Sequence, residues 1–169
     1  VDECYSLTSE KATLAINMTV GRWLAVSIGG DNNLWVTGGF GNTGLLASTE
    51  YVTMSGTIPG PDLPMVLARH AIVAINSTCS MVIGGMGYDY YASTFFYDHI
   101  EGEWTNGPSL MEVRFDHAAG LVTDEVTDEH YVAVTGGTSG GGASVSDSTE
   151  ILQDGEWVQG KILEYVCHI

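Results

Sequence analysis

The sequence has few prolines, few basic residues and no long apolar run. Of its 169 residues, 4 are proline, 22 are glycine and 15% are charged, which is too apolar for disorder and too rich in turn residues for a helical bundle. No apolar stretch approaches the ~20 residues needed to cross a bilayer. Residues 1–4 carry no basic-plus-apolar leader. We therefore expect a soluble, processed, all-β protein.

Basic residues are scarce relative to acidic ones. Five Lys and Arg oppose 21 Asp and Glu, giving a formal charge of -16 that would repel phosphate backbones and anionic lipid surfaces. We expect no nucleic-acid partner and no membrane insertion. The acidic run at 124–129 lacks the Asp-x-Asp-x-Asp-Gly pattern of a calcium loop, so a solvated loop is the favoured interpretation. We expect no metal and no cofactor.

The three cysteines are odd in number, so one thiol is free, bonded to another chain, or paired outside this segment. A disulfide between Cys4 and Cys167 requires their Cα atoms to approach within ~7 Å. Asn17-Met18-Thr19 and Asn76-Ser77-Thr78 both match the N-glycosylation acceptor pattern. Together these features predict a secreted or extracellular glycoprotein with Cys4 and Cys167 as disulfide candidates.

An internal repeat is the strongest feature of the sequence. In each copy an arginine opens an apolar segment, a second apolar strand ends in two glycines, and a Ser-Thr pair heads a third strand. In two copies Gly-Glu-Trp follows. The repeated elements are Arg22, Arg69 and Arg114; Gly38-Gly39, Gly84-Gly85 and Gly136-Gly137; Ser48-Thr49, Ser93-Thr94 and Ser148-Thr149; Gly102-Glu103-Trp104 and Gly155-Glu156-Trp157.

This order of elements resembles the kelch repeat over about residues 20 to 169, and the middle unit, beginning at Arg69-His70 and reaching Trp104, matches best. The resemblance implies an all-β fold, a partial kelch-type β-propeller with about three four-stranded antiparallel blades plus flanking strands. The expected units are the end of a preceding blade (1–21), three repeats (22–68, 69–113 and 114–161) and the start of a further repeat (162–169).

The repeated residue types have physical reasons. Each blade buries its apolar faces only against neighbouring blades, and a glycine pair allows positive φ and close packing at the end of the second strand. Trp104 and Trp157 supply apolar area between blades. In the middle unit we expect strands near 70–75, 80–84, 93–98 and 102–105.

Propellers have 4 to 8 blades, and this chain provides fewer. Residues 162–168 parallel residues 110–117, and Ala12 to Thr19 resembles the last strand of a preceding blade. Two explanations stay open. The chain belongs to a longer polypeptide that supplies the missing blades, or it associates with another chain to complete a ring of roughly six blades.

The resemblance implies that a protein or glycan ligand meets the face formed by the loops after the glycine pairs and before each first strand. Tyrosines in one such loop offer rigid contact area, although Tyr91 is a candidate for packing beneath it. The arginines either form a cationic ring that favours an anionic peptide or glycan, or make hydrogen bonds between blades. The candidate binding residues are Arg22, Asn42, Arg69, Tyr88, Asp89, Tyr90, Tyr91, Arg114 and Ser139.

Catalysis is the less favoured hypothesis. His70, His117 and His168 occupy one repeat position, which indicates a structural role, and no Gly-x-Ser-x-Gly, His-Glu-x-x-His or Cys-x-x-Cys motif is present. The predicted function is a non-catalytic secreted module for protein or glycan binding or extracellular structure. The alternative is a fragment of a propeller enzyme, such as a copper radical oxidase or a sugar-processing enzyme.

Overall fold

A computed structural model describes residues 16–30, 32–139 and 144–160. These residues form three four-stranded antiparallel sheets, called blades 1 to 3 here, and contain no helix. The fold-class prediction is therefore confirmed as a partial, all-β propeller whose sheets do not close into a ring. No helix in these ranges has the length and hydropathy of a membrane span.

The strands of each blade follow one another in chain order, and short hairpins lie between the second and third strands of blades 1 and 3. Blade 1 contains β1 (Val26–Gly29), β2 (Asn33–Thr37), the hairpin β3 (Phe40–Gly41) and β4 (Gly44–Leu45), β5 (Thr49–Thr53) and β6 (Gly56–Pro59). Blade 2 contains β7 (Ala71–Ala74), β8 (Cys79–Ile83), β9 (Thr94–Asp98) and β10 (Glu103–Asn106). Blade 3 contains β11 (Ala118–Thr123), β12 (His130–Thr135), the hairpin β13 (Thr138–Ser139) and β14 (Ser144–Val145), β15 (Thr149–Gln153) and β16 (Glu156–Gln159). The strands expected in the middle unit agree with β7 to β10 within about a residue.

The blades are arranged around an axis by their first strands. Neighbouring first strands are in contact, β1 with β7 and β7 with β11. Just before these strands, the Arg69 N–H donates to the Leu24 carbonyl at 3.1 Å, and the Asp116 N–H donates to the Arg69 carbonyl at 3.1 Å. Leu24, Arg69 and Asp116 have φ of 53°, 55° and 55°, so each blade contributes the same backbone conformation to this chain of bonds.

At the glycine pairs of blades 1 and 2, the backbone of the next blade approaches closely. Gly84 has φ of +57°, and a Cβ there would lie 2.7 Å from the Arg114 carbonyl oxygen of blade 3. The Gly85 N–H donates to the same carbonyl at 2.7 Å, just as Gly39 donates to Leu67. At Gly136 of blade 3 a Cβ would meet nothing closer than 3.8 Å among the described residues. The trailing side of blade 3 is therefore open in this part of the chain.

Two apolar clusters fill the spaces between the blades. The cluster between blades 1 and 2 contains three aromatic residues, whereas the cluster between blades 2 and 3 contains one. The first is centred on Trp35, Leu63, Leu67, Ile72, Val82, Phe95 and Tyr97, and the second on Ala71, Val73, Met81, Ile83, Leu110, Val132, Val134 and Trp157. Trp157 packs between blades as predicted, and its Nε1 donates to the Pro108 carbonyl at 2.9 Å. Trp104 packs against Trp35 across the other boundary.

Several sequence predictions fall at the ends of the chain. Cys4, Cys167, His168 and the predicted fourth repeat at 162–169 lie outside the described residues. Residues 16–20 form no strand, so this part of the strand expected at Ala12 to Thr19 is a wrong prediction. The backbone N–H groups of Thr19 and Val20 instead donate to Glu50 of blade 1, at 2.7 and 3.0 Å. Cys79 is a free, half-buried thiol.

Candidate functional site

The loop face is the end of the blades at which the second strands finish and the first strands begin. It comprises the segments leading into the first strands and the loops after the glycine pairs. The opposite end, called the turn face, carries the turns that join the first strand of each blade to the second. The loop face is formed by residues 22–25, 67–70, 114–117, 40–47, 86–92 and the described part of 138–147.

The tyrosine loop of blade 2 is anchored at its base and open at its tip. The Gly87 N–H donates to the Asp89 carbonyl at 2.8 Å, and the Asp89 carboxylate accepts the Tyr90 N–H at 2.8 Å. The Tyr90 ring stacks on Phe115 of blade 3, with centroids 4.9 Å apart and planes 18° apart. Tyr88, by contrast, is 89% exposed. A fixed loop therefore holds one large amphipathic side chain in solvent.

Arg69 joins the same cluster across the boundary between blades 2 and 3. Its guanidinium carbon lies 5.8 Å from the centroid of the Phe115 ring, and its Nη1 donates to Asp116 at 2.6 Å. Both charged side chains are partly exposed. This arginine is therefore on the predicted face, but a neighbouring carboxylate already neutralises its charge.

Arg22 is placed inside blade 1 and not on the loop surface. Its Nη2 donates to Glu50 at 2.6 Å, and its Nη1 donates to the carbonyls of Gly38 and Ser48 at 2.9 and 2.7 Å. Burial alone would raise the pKa of Glu50, but hydrogen bonds from Arg22, Thr19 and Val20 together lower it. The carboxylate is held ionised beside the arginine.

Arg114 repeats this arrangement inside blade 3, where its side chain has no exposed surface. Its Nε donates to Glu150 at 2.9 Å, its Nη1 donates to the Gly136 carbonyl at 2.8 Å, and its Nη2 donates to the Ser148 hydroxyl. Every one of these partners belongs to blade 3. The cationic ring is therefore absent. The alternative, hydrogen bonds between blades, describes Arg69, which bonds Asp116 of blade 3. It is wrong for Arg22 and Arg114, whose side chains bond within their own blade.

The three arginines do not share one repeat position, contrary to the sequence interpretation. The positive-φ residues set the structural register, and Arg69 is one of them, together with Leu24 and Asp116. Leu67, two residues earlier, occupies in blade 2 the position of the buried arginines. Its neighbour on β9 is Phe95, in place of glutamate. The sequence carried this signal, since Ser-Thr-Glu at 48–50 and 148–150 contrasts with Ser-Thr-Phe at 93–95.

The remaining candidates are distributed over the loop face. Asn42 is exposed in the turn between β3 and β4, and Ser139 ends β13, where it pairs with Ser144. Tyr91 is half-buried and packs against the apolar cluster between blades 1 and 2. This agrees with the alternative that Tyr91 packs beneath the loop. Sequence reasoning missed Trp23, which is 61% exposed and packs against Phe40 with ring centroids 5.2 Å apart and planes tilted by 34°. The sequence did carry a signal for it, because an aromatic residue follows the arginine in two repeats, at Arg22-Trp23 and at Arg114-Phe115.

The repeated histidines lie in the interior near the axis. The Thr37 hydroxyl donates to the Val26 carbonyl at 3.2 Å, so the 2.8 Å bond between Thr37 and His70 is one in which His70 Nε2 donates. Burial lowers the pKa of His70 to about 3. Burial, together with Arg114, lowers the pKa of His117 to about 4. Both rings are neutral near pH 7.

Across the residues that the structure describes, no three or more His, Cys, Asp or Glu side chains are grouped as metal ligands would be. No protein-family model matches the chain, and no curated protein matches it. The fold and the geometry of its two faces are therefore the features that bear on function.

Proposed function

We propose that this chain is part of a kelch-type propeller that acts as a non-catalytic extracellular binding module, with a protein as its ligand and the loop face as its contact surface. The observation that carries the proposal is Tyr88, which is 89% exposed on a loop whose base is locked by the stacking of Tyr90 on Phe115. A rigid tyrosine loses little conformational entropy on binding and offers both apolar area and a hydroxyl.

Further aromatic area lies at the same end of the blades. Trp23 is exposed and rests on Phe40, so blade 1 offers a second anchor of the type enriched at binding hot spots. Isolated exposed apolar residues are ordinary on protein surfaces, but large aromatics from two blades on one face are typical of a contact site. These features support recognition of an extended or folded protein surface over recognition of a small molecule.

The exposed charges of the loop face favour a basic partner. Arg22 and Arg114 are withdrawn into the blades, and Arg69 is neutralised by Asp116. Asp89, which follows Tyr88 in the chain, then remains as an exposed carboxylate of the loop face. A lysine or arginine of the partner gains from this field and from contact with the tyrosine ring. The anionic ligand expected from a cationic ring is no longer favoured.

The proposal includes secretion and glycosylation. Asn76 is exposed at the turn between β7 and β8, and its Oδ1 accepts hydrogen bonds from the Thr78 N–H and hydroxyl at 2.8 and 2.9 Å. This geometry leaves the amide nitrogen available to carry a glycan. Asn17 is also exposed. A disulfide between Cys4 and Cys167 remains part of the same proposal.

The proposal also includes ring completion. Gly136 of blade 3 corresponds to Gly38 and Gly84, which contact the next blade in blades 1 and 2, and the described residues leave Gly136 uncovered. Exposed apolar residues on the same blade, such as Leu121 and Val122, support association with a further blade. Native mass spectrometry of the protein separates a self-associated ring from a monomer.

Selection of peptides on the immobilised protein tests the binding proposal. A displayed random-peptide library should yield binders enriched in Lys or Arg, whose affinity falls at least about tenfold in Tyr88→Ala. The matched control is Val126→Ala, because Val126 is 93% exposed but lies on the turn face. Affinity should also fall as salt rises from 50 to 500 mM, as charge attraction is screened. Equal losses in both variants, or no enrichment, would contradict the proposal.

A further inference from the structure

A groove separates blades 1 and 2 on the turn face, away from the loop face. It lies between the turn that joins β1 to β2 and the turn that joins β7 to β8, and it encloses about 500 Å³. That volume is within the usual range of ligand sites, about 300–1,000 Å³. The groove is distinct from the surface proposed above, since the two lie at opposite ends of the strands.

The blade 1 wall of the groove is aromatic and fixed. Trp35 is 2% exposed, and its Nε1 donates to the Thr49 hydroxyl at 2.9 Å. Tyr51 stacks on it with centroids 5.7 Å apart and planes 26° apart, and remains half-exposed toward the groove. The Asn33 amide stands at the rim. A flat apolar surface therefore lies beside a group that both donates and accepts hydrogen bonds.

The blade 2 wall is polar and equally well held. Ser80 is buried, and its hydroxyl is hydrogen-bonded to His99 Nε2 at 2.8 Å. The His99 ring also meets Trp35 edge-on, with centroids 5.4 Å apart. Asn76 and Ser77 complete this side of the groove. The polar groups are amides, hydroxyls and an imidazole, and none of the described lining residues is an acid, a lysine or an arginine.

We propose that this groove binds a neutral sugar residue. A pyranose ring has an apolar C–H face that packs on an aromatic side chain, and its hydroxyls both donate and accept hydrogen bonds, which suits Asn33 and Ser77. A charged ligand would find no partner among the described lining residues. The sugar has two possible sources, a free oligosaccharide or the first residues of a glycan attached to Asn76 at the rim of the groove.

The experiment uses the whole chain secreted from a glycosylating host, in its natural form and as Asn76→Gln. Binding of N,N′-diacetylchitobiose and of cellobiose is followed by tryptophan fluorescence and by saturation-transfer NMR. Hydrogen exchange of residues 28–35 is compared between the two forms. Sugar binding to both forms identifies a free oligosaccharide as the source. Sugar binding only to Asn76→Gln, with slower exchange of residues 28–35 in the glycosylated form, identifies the attached glycan.

Two variants made in the Asn76→Gln background locate the site. Ser77→Phe places a bulky ring in the groove, and Val126→Phe is its matched control in the equivalent turn of blade 3. We expect at least a tenfold loss of sugar affinity in the first and no change in the second. The proposal is overturned if neither sugar binds Asn76→Gln, or if Ser77→Phe binds as tightly as the control. Because peptide binding through Tyr88 is measured separately, failure here leaves the loop-face proposal standing.

Discussion

Blade 2 differs from blades 1 and 3 at a pair of buried positions, one before the first strand and one on the third strand. Blades 1 and 3 bury Arg22 with Glu50 and Arg114 with Glu150, whereas blade 2 places Leu67 and Phe95 at the same two positions. Both partners change together, so no blade is left with an unpaired buried charge. A buried ion pair and a well-packed apolar pair have similar net stability, while half of an ion pair is costly. The comparison shows that the fold requires a matched pair there, and not a particular one.

The largest effect is expected from placing a charge in blade 2. Leu67→Arg buries a cation among Trp35, Leu63 and Phe95, and should lower the free energy of unfolding by about 4 kcal/mol or more. Adding Phe95→Glu should recover at least half of that loss. Urea denaturation monitored by tryptophan fluorescence measures both. Ile100→Arg, at an exposed turn position of the same blade, is the control and should be nearly neutral. A loss below 1 kcal/mol in Leu67→Arg would contradict the requirement for matched pairs.

The converse change in blade 3 should be slightly milder. Arg114→Leu removes the guanidinium partner of the buried Glu150 side chain, and we expect a loss of about 3–5 kcal/mol in the free energy of unfolding. The double variant Arg114→Leu with Glu150→Phe copies blade 2 and should recover most of it. Recovery will be incomplete, because the Gly136 carbonyl also loses a donor. A double variant no more stable than the single one would show that the two positions are not coupled.

A glycine comparison tests how closely successive blades pack. Gly84 and Gly136 have φ of +57° and +67°, so alanine at either position costs about 1 kcal/mol from the backbone alone. At Gly84 the new Cβ also meets the Arg114 carbonyl oxygen at 2.7 Å. The free energy of unfolding should therefore fall by about 3 kcal/mol in Gly84→Ala and by about 1 kcal/mol in Gly136→Ala. Equal thermal shifts for the two variants would show that blade 3 does not press on Gly84.

The smallest effect concerns pH and the histidines of blades 2 and 3. Their folded pKa values of about 3 and 4 lie below the unfolded value of 6.5, so the unfolded chain binds more protons as pH falls below 6.5. The contribution of each buried histidine to the free energy of unfolding is fully present above pH 6.5. It should fall by about 2 kcal/mol per histidine when the pH is lowered to 5. Between pH 7.5 and 5, the free energy of unfolding of His70→Gln should fall by about 2 kcal/mol less than that of the wild type, as measured by urea denaturation. Superimposable profiles for wild type and variant would contradict the burial of a neutral ring.

The repeat made the fold predictable, because each glycine pair and each Ser-Thr pair marks one strand end in every blade. The strand bounds of blade 2 followed directly from Gly84-Gly85 and Ser93-Thr94. The sites were harder to predict. The sequence interpretation aligned Arg69 with the other two arginines of the repeat. In the structure, the feature that repeats is a positive φ at Leu24, Arg69 and Asp116, and not a residue type. Leucine and arginine rarely take positive φ, so sequence preference gave no indication of it.

The groove and the exposure of Trp23 were also beyond sequence reasoning. The groove brings Asn33 and Tyr51 of blade 1 close to Asn76 and Ser77 of blade 2, and no local pattern reports a distance between units. The partial burial of Tyr91 was anticipated as an alternative because a loop with three tyrosines cannot expose all of them cheaply. Tyr88, predicted to contact a partner, is 89% exposed.

The hydrogen bonds that join Leu24 to Arg69 and Arg69 to Asp116 involve only main-chain atoms. Their formation is therefore indifferent to which side chains a unit carries, provided that the left-handed backbone is kept. A duplicated unit inserted by recombination would meet the same pair of partners as the unit it copied. Such a fold is free to change the number of its units during evolution while each unit acquires its own surface.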